Sequence, residues 1–264
     1  MNLDELTINV CQVAKQAGAF IQNEMQHFQA SKVETKSLNQ LVSYVDKNAE
    51  QKIIEGLRKI FPEAGFIAEE ETVQSEQKAY MWVIDPLDGT TNFIHQLPVY
   101  SVSIALLHEN EPVIGVIYEP NRAELFYAWK TGGAYLNGRK IQVKDNNCLA
   151  DSLLATGFPY YDFAQMDAYL QTLQYFLKNT RGMRRMGSAA IDLAYVACGR
   201  FDGFFEYGLS PWDVAAGVLL VEEAGGKNST FNKQGNPIFA KEIISASKGI
   251  YEEFSGVIQQ QFKK

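Results

Sequence analysis

Trp82-Val83-Ile84-Asp85-Pro86-Leu87-Asp88-Gly89-Thr90-Thr91-Asn92-Phe93 is the stretch on which the reading of this chain turns. The apolar run Tyr80 to Ile84 reads as a short strand, and it ends at two carboxylates three residues apart. Crevices open at the carboxyl ends of strands in layered α/β sheets. Pro86 stiffens the turn between the acids, and Gly89 permits a close backbone approach. Thr90 and Thr91 can open a helix whose first amides face an anion. Two carboxylates beside an anion fit a divalent cation such as Mg2+, which binds one or two carboxylates together with phosphate oxygens. An Asx turn followed by a helix cap accounts for much of the same pattern.

Upstream, Gly65 to Ala68 is a second short apolar run, followed by Glu69-Glu70-Glu71. Adjacent acids repel, and a cation would relieve whichever one points inward. A solvated charge run on a loop is the competing reading. Two helices come earlier. Leu3, Leu6, Val10, Val13, Ala17 and Phe20 recur at spacings of three and four, and Val45 to Ile60 carries Ala49, Ile53 and Leu57 on one face before Pro62 stops it. Asp46 heads the second helix, where an acid favours the helix dipole.

Downstream, Val99–Leu107, Val113–Tyr118 and Glu124–Trp129 read as strands. Gly133–Val143 contains Asn137-Gly138, a hairpin pair because both residues tolerate positive φ. Residues 80–143 therefore read as an antiparallel meander. Past a soft boundary near Asn146 come a strand at Ser152–Ala155, helices at Asp162–Leu177 and Ser188–Cys198, and an aromatic strand at Asp202–Tyr207. Ser210-Pro211-Trp212-Asp213 opens a further helix: a serine cap, proline first and an acid third. A strand at Ile243–Ala246 and a helix from Gly249 complete the chain. The pattern is that of an α+β protein with two tightly joined halves, 1–146 and 147–264.

Composition narrows the chemistry. Lys and Arg number 24 against 31 Asp and Glu, a net charge of −7 in 264 residues, which gives a nucleic-acid partner no support. Cys11, Cys148 and Cys198 are too scattered for a zinc ribbon or a thioredoxin-like pair, and their sparse, odd count fits a reducing compartment. No apolar run approaches the ~20 residues of a membrane span. The expectation is a soluble, cytoplasmic protein. His27, His95 and His108 are the only histidines, and no Gly-x-Ser-x-Gly elbow, Gly-x-Gly-x-x-Gly fingerprint or phosphate-binding Gly-Lys-Ser/Thr loop occurs. Four acidic clusters at helix or strand ends (Asp46, Glu69–Glu71, Asp85/Asp88, Asp213) suit a polynuclear Mg2+ site, in which one ion activates water and another stabilises the leaving oxygen.

Trp82–Phe93 resembles the inositol monophosphatase family, whose pattern W-x-[IV]-D-P-[IL]-D-G-T-x-N-[FY] it carries whole. The family's second signature resembles Trp212-Asp213-Val214-Ala215-Ala216-Gly217, and its early segment resembles Lys36-Ser37-Leu38-Asn39-Gln40-Leu41-Val42-Ser43-Tyr44-Val45-Asp46. The resemblance spans nearly the whole chain. It implies a five-layer αβαβα sandwich of the type shared with fructose-1,6-bisphosphatase, usually in a homodimer. It implies Mg2+-dependent, lithium-sensitive hydrolysis of inositol monophosphate to inositol and phosphate, without a phosphoenzyme.

The same resemblance implies roles for residues. Glu69, Asp85 and the Leu87 carbonyl would hold one Mg2+, and Asp85, Asp88 and Asp213 a second, with a third ion near Glu69. Gly89 and Thr90 would give amides to the phosphate. Asp46, Thr90 and Glu69 would act on the attacking water. Asp88, Ala189 and Glu206 would meet the substrate, and a carboxylate at Glu206 suits a polyol because it accepts from adjacent hydroxyls. An edge-strand surface acid is the alternative at Glu206. Lys36 would offset the charge of the metal cluster, and Glu70 is a further candidate beside Glu69. Arg184 and Arg185 would face phosphate or a dimer partner, or form a solvated basic pair. Gln40 and Ser43 depart from the family pattern and would alter how Asp46 is held. Rival readings are a fructose-1,6-bisphosphatase, a 3′(2′),5′-bisphosphate nucleotidase, a histidinol-phosphatase, or a non-catalytic regulatory binding protein.

Overall fold

Helix α1 (Leu3–His27) buries Leu6, Val10, Val13, Ala14, Ala17 and Ile21, the stripe expected from their spacing. The computed structural model describes residues 2–27, 33–37, 40–74, 76–160 and 162–262, with 33–37 and 40–43 described by backbone alone. Strands β1 (Val33–Ser37) and β2 (Gln40–Ser43) pair antiparallel. Sequence patterning marks no strand there, because Val33-Glu34-Thr35-Lys36-Ser37 is mostly polar. Helix α2 (Tyr44–Ile60) buries Val45, Ala49, Ile53 and Leu57 beside α1.

A seven-stranded sheet follows in sequence order: β3 (Gly65–Ala68), β4 (Tyr80–Asp88), then, after the short helix α3 (Thr90–Ile94), β5 (Ser101–His108), β6 (Glu111–Glu119), β7 (Glu124–Trp129), β8 (Gly133–Leu136) and β9 (Arg139–Ile141). β3 and β4 are parallel, and β4 to β9 form the expected antiparallel meander. Asn137 and Gly138, at φ 49° and 82°, make the two-residue turn between β8 and β9. Several strand ends shift by one or two residues from the expected bounds, and one difference bears on the site. β4 does not stop at Ile84 but runs to Asp88, with its register against β5 broken between Asp85 and Asp88. Pro86 has no N–H for a ladder bond, and it sits in that irregularity.

The second half builds a five-stranded sheet from β10 (Leu153–Thr156), β11 (Gly182–Arg184), β12 (Gly203–Tyr207), β13 (Lys227–Ser229) and β14 (Glu242–Ala246), in the order β11-β10-β12-β14-β13. Its helices are α4 (Met166–Asn179), α5 (Ala189–Ala197), α6 (Pro211–Glu223) and α7 (Tyr251–Phe262). β11 and β13 are three-residue strands, too short for a periodicity reading, and α4 begins at Met166 rather than Asp162.

Three apolar cores separate five layers. α1 and α2 cover one face of the large sheet. α5 and α6 fill the space between the two sheets. α4 and α7 cover the far face of the small sheet. The result is the αβαβα sandwich implied by the resemblance. A helix pressed between two sheets must be apolar all round, and every residue of α6 from Val214 to Val221 is buried. Gly217 makes the tight approach of α5 possible, since a Cβ there would lie 2.4 Å from Leu193 Cδ1. This layering brings the ends of β3 and β4 together with the N-termini of α3, α5 and α6 around one pocket.

Candidate active site

The broken end of β4 turns both of its carboxylates inward. Asp85 is 2% exposed and accepts the Leu87 amide at 2.9 Å. Asp88 is fastened to α5: its Oδ2 accepts the Ser188 hydroxyl at 2.6 Å and the Ala190 amide at 2.8 Å, and the Ala189 amide also faces it. Asp213 arrives on the first turn of α6, where its Oδ2 accepts the Ser210 amide at 2.7 Å as the predicted capping box requires. Oxygens of Asp85, Asp88 and Asp213 all lie within 4.8 Å of one another.

Crowding carboxylates out of water opposes their ionisation. Burial raises Asp88 to about 6, against the pull of its Ser188 and Ala190 bonds. Burial and then Asp88 raise Asp213 to about 7. Asp85 is pushed well above the carboxylate range by burial and by Glu69, Asp88 and Asp213. Glu69, just past β3, is raised by burial, then by Asp213, Glu70 and Asp46, and it shares a hydrogen bond with Asp85. Such a cluster of hard oxygens, held together against its own repulsion, fits a divalent oxygen-loving cation. The Leu87 carbonyl adjoins it and lies 3.1 Å from Thr90 Oγ1.

Thr90 opens α3 and reaches back to α2, its hydroxyl 3.0 Å from Asp46 Oδ1. Gly89 has φ 99°, and a Cβ there would meet the carbonyls of Val99 and Gly187 at 3.0 and 3.2 Å. Asn92 locks that close approach by donating to the carbonyls of Val99 and Met186 at 2.7 and 2.9 Å. Glu206 is 8% exposed and lies in β12, the central strand of the small sheet, so the edge-strand alternative is set aside. Burial raises its pKa well above the ordinary range, with Asp213 adding to the shift.

The structure gathers Asp46, Glu69, Asp85, Leu87, Asp88, Gly89, Thr90, Ala189, Glu206 and Asp213 in and around this pocket. It separates the two arginines. Arg185 lines the pocket and bonds the Tyr160 hydroxyl, whereas Arg184 is exposed and donates to the Met183 carbonyl. The Glu70 amide is bound by Glu50 at 2.7 Å, and Glu70 does not line the pocket. The side chains of Lys36, Gln40 and Ser43 lie outside what the structure describes. Two residues carry no mark in the sequence: Glu50, which binds the loop after Glu69, and Asp192, buried in the pocket wall; Ser188 is marked there as a helix start, but not as the side chain that holds Asp88. For Ser188 a signal existed, since serine before an apolar helix is a cap.

No helix among the described residues is long and apolar enough to cross a membrane. The chain is 40% identical over 246 residues to a protein named putative Nus factor SuhB from Neisseria meningitidis serogroup B, covering 93% of this chain and 94% of that one. It is 40% identical over 250 residues to the inositol-1-monophosphatase of Rhizobium meliloti, covering 94% of each. Among solved structures, the extragenic suppressor protein suhB of Bartonella henselae superposes with a TM-score of 0.89 at 39% identity, covering 96% of this chain and 98% of that one. The inositol monophosphatase of Anabaena superposes at 0.85 with 38% identity, covering 98% and 97%. The model of the inositol monophosphatase family matches residues 2–262, and this chain belongs to that family.

Proposed function

We propose that this protein hydrolyses inositol monophosphate to myo-inositol and phosphate with Mg2+. The observation that carries the reading is the meeting of Asp85, Asp88 and Asp213 within 4.8 Å, in a pocket that also contains the buried Glu206. Glu69, Asp85 and the Leu87 carbonyl would hold one ion, Asp85, Asp88 and Asp213 would hold a second, and Glu69 would also serve a third. Mg2+ bound there supplies a Lewis acid to the ester and makes a neighbouring water more acidic.

The chain's own groups do the rest. Gly89 and Thr90 present the first amides of α3 to the phosphate, and preorganised amides serve the charge that grows in the transition state. Thr90 accepts a hydrogen bond from the attacking water while its own proton is directed to Asp46. Glu69 would help to position that water. Asp88, Ala189 and Glu206 orient the polyol. The protein acts as a lithium-sensitive homodimer in the cytoplasm, a reading that rests on the family resemblance.

Relatives named Nus factors raise a second reading, a non-catalytic partner role. The retained carboxylate cluster favours turnover, because like charges held in one cavity are costly without a cation. The deciding experiment is Mg2+-dependent phosphate release from myo-inositol 1-phosphate, 3′-phosphoadenosine 5′-phosphate, histidinol phosphate and fructose 1,6-bisphosphate, each with an EDTA control. Preference for the inositol ester supports the proposal. Preference for another ester keeps the metal site and reassigns the substrate. No release from any of the four sinks the catalytic reading.

A further inference from the structure

Asp192 is the sole charged residue of α5, a helix otherwise composed of alanine, leucine, isoleucine, valine and tyrosine. It is 1% exposed and lies in the wall of the same pocket as Glu206. Its Oδ1 has no hydrogen-bond partner among the described residues. Buried polar groups are nearly always paired, so an orphan of this kind calls for an explanation. A solubility role is excluded by its burial, and a cap role by Ser188, which already caps α5 through the Ile191 amide.

The surroundings define what the orphan faces. The Glu206 carboxylate rests directly on Gly157, where a Cβ would fall 1.9 Å from its Cδ. Arg185 supplies the cation on this wall, fixed by the Tyr160 hydroxyl and by the rings of Phe158 and Tyr160 at 5.3 and 5.4 Å. Burial above all, then Glu206 and Asp88, hold the Asp192 carboxyl well above the usual carboxylate range, burial and Asp213 do the same to Glu206, and Arg185 offsets only part of each shift. The wall therefore presents two carboxylates to one guanidinium.

We infer that Asp192 is a specificity residue of this pocket, forming with Glu206 a two-carboxylate wall that accepts the hydroxyls of a neutral polyol and disfavours a second phosphate. The inference rests on the proposed reading of the pocket as a phosphate-ester site. Hydroxyls supply the donors that carboxylates lack. A second phosphate would place its charge against two acids compensated by one arginine, which is repulsive.

The test compares myo-inositol 1-phosphate with p-nitrophenyl phosphate, which carries no hydroxyl groups on its ring. Asp192→Asn keeps the shape and replaces one carboxyl oxygen with an NH2 donor. The expected result is a raised KM for the inositol ester with a smaller change in kcat. The preference, measured as the ratio of kcat/KM for the inositol ester over the aryl ester, falls about tenfold, as for the loss of one buried hydrogen bond. Fructose 1,6-bisphosphate gains relative to the inositol ester. Asp192→Ala moves the ratio the same way. Both variants melt at or above the wild-type temperature without substrate, because an unpaired buried carboxylate does not support the fold. A lowered melting temperature with equal damage to both esters overturns the assignment and makes Asp192 structural. A ratio unchanged in both variants also overturns it. A wild-type protein with no preference between the esters sinks the polyol reading itself, which is settled before any variant is made.

Discussion

Thr90 Oγ1 stands 3.0 Å from Asp46 Oδ1 and 3.1 Å from the Leu87 carbonyl oxygen. One hydroxyl has one proton, and a buried carboxylate is the stronger acceptor of the two. Asp46 is 1% exposed, so it competes with little water for that proton. Directed to Asp46, the proton leaves the Thr90 lone pairs free to accept from a water. α2 thus sets the direction of a hydroxyl that α3 delivers.

The first prediction follows from this pair. Thr90→Val keeps the shape and removes the hydroxyl. Its kcat should fall about a hundredfold or more, the usual worth of a positioned proton acceptor. KM should change little, since the interaction is used at the transition state. Asp46→Asn should move kcat in the same direction. Steady-state rates at saturating Mg2+ decide the matter. A retained kcat in Thr90→Val would remove Thr90 from the handling of the water.

Stability without metal should fall as pH rises. Asp88 and Asp213 have ordinary pKa values of 3.8, raised in the fold to about 6 and about 7. Between pH ~4 and ~7 the folded chain then binds more protons than the unfolded one, and stability declines with pH wherever that holds. Mg2+ held by these groups would bind their ionised forms, so its stabilisation should grow over the same interval. Thermal melts in EDTA and in Mg2+ should nearly coincide at pH 5 and separate widely at pH 8. A constant gap across that range would mean that these acids are not the ligands.

Gly89→Ala should damage both fold and rate. At φ 99° an alanine is strained, and its Cβ would meet the Val99 carbonyl at 3.0 Å. Gly138→Ala is the control, with φ 82° and open space around it, so it carries the strain alone. Strain of this kind costs about 1–3 kcal/mol. Both variants should melt lower, Gly89→Ala more so, and Gly89→Ala alone should lose most of its activity. Equal melting losses with activity retained in both would show that the approach of Gly89 to Val99 and Gly187 is unimportant.

How far the site could be read in sequence follows from where its parts lie. Asp85, Asp88, Gly89 and Thr90 fall in one continuous run, and Asp213 falls in a capping box, so local chemistry marks each of them. The meander and the long helices were legible from their periods, whereas the five-layer arrangement came with the family resemblance. Arg184 and Arg185 could not be told apart, because β11 is three residues long and ends between them. Glu206 looked as much like a surface acid as a pocket acid until the order of the small sheet put β12 at its centre. Glu50 lies mid-helix without a signature, and Asp192, in the first turn of α5, reads as an ordinary partner of the helix dipole. What each faces comes from other elements, for Glu50 a loop 20 residues away, and no local pattern encodes such a meeting.

Glu50 yields the last prediction. It lies one turn after Asp46 on α2, is fully buried, and accepts the Glu70 amide at 2.7 Å, the Thr72 amide at 2.8 Å and the Thr72 hydroxyl at 2.6 Å. These three bonds anchor the loop that leaves β3 with Glu69 at its head, and Glu71 in that loop has φ 51°. Glu50 touches none of the proposed ions, so its influence passes through the placing of Glu69. Glu50→Gln presents an NH2 where a donor must be accepted, which breaks at least one of the three bonds. The Mg2+ concentration for half-maximal rate should rise about tenfold, as for residues that orient metal ligands. Saturating Mg2+ should restore most of kcat. Glu69→Gln, by contrast, should lose rate that added Mg2+ does not recover. An unchanged Mg2+ requirement in Glu50→Gln, with only a lowered melting temperature, would leave Glu50 as a support of the loop that the metal site does not feel.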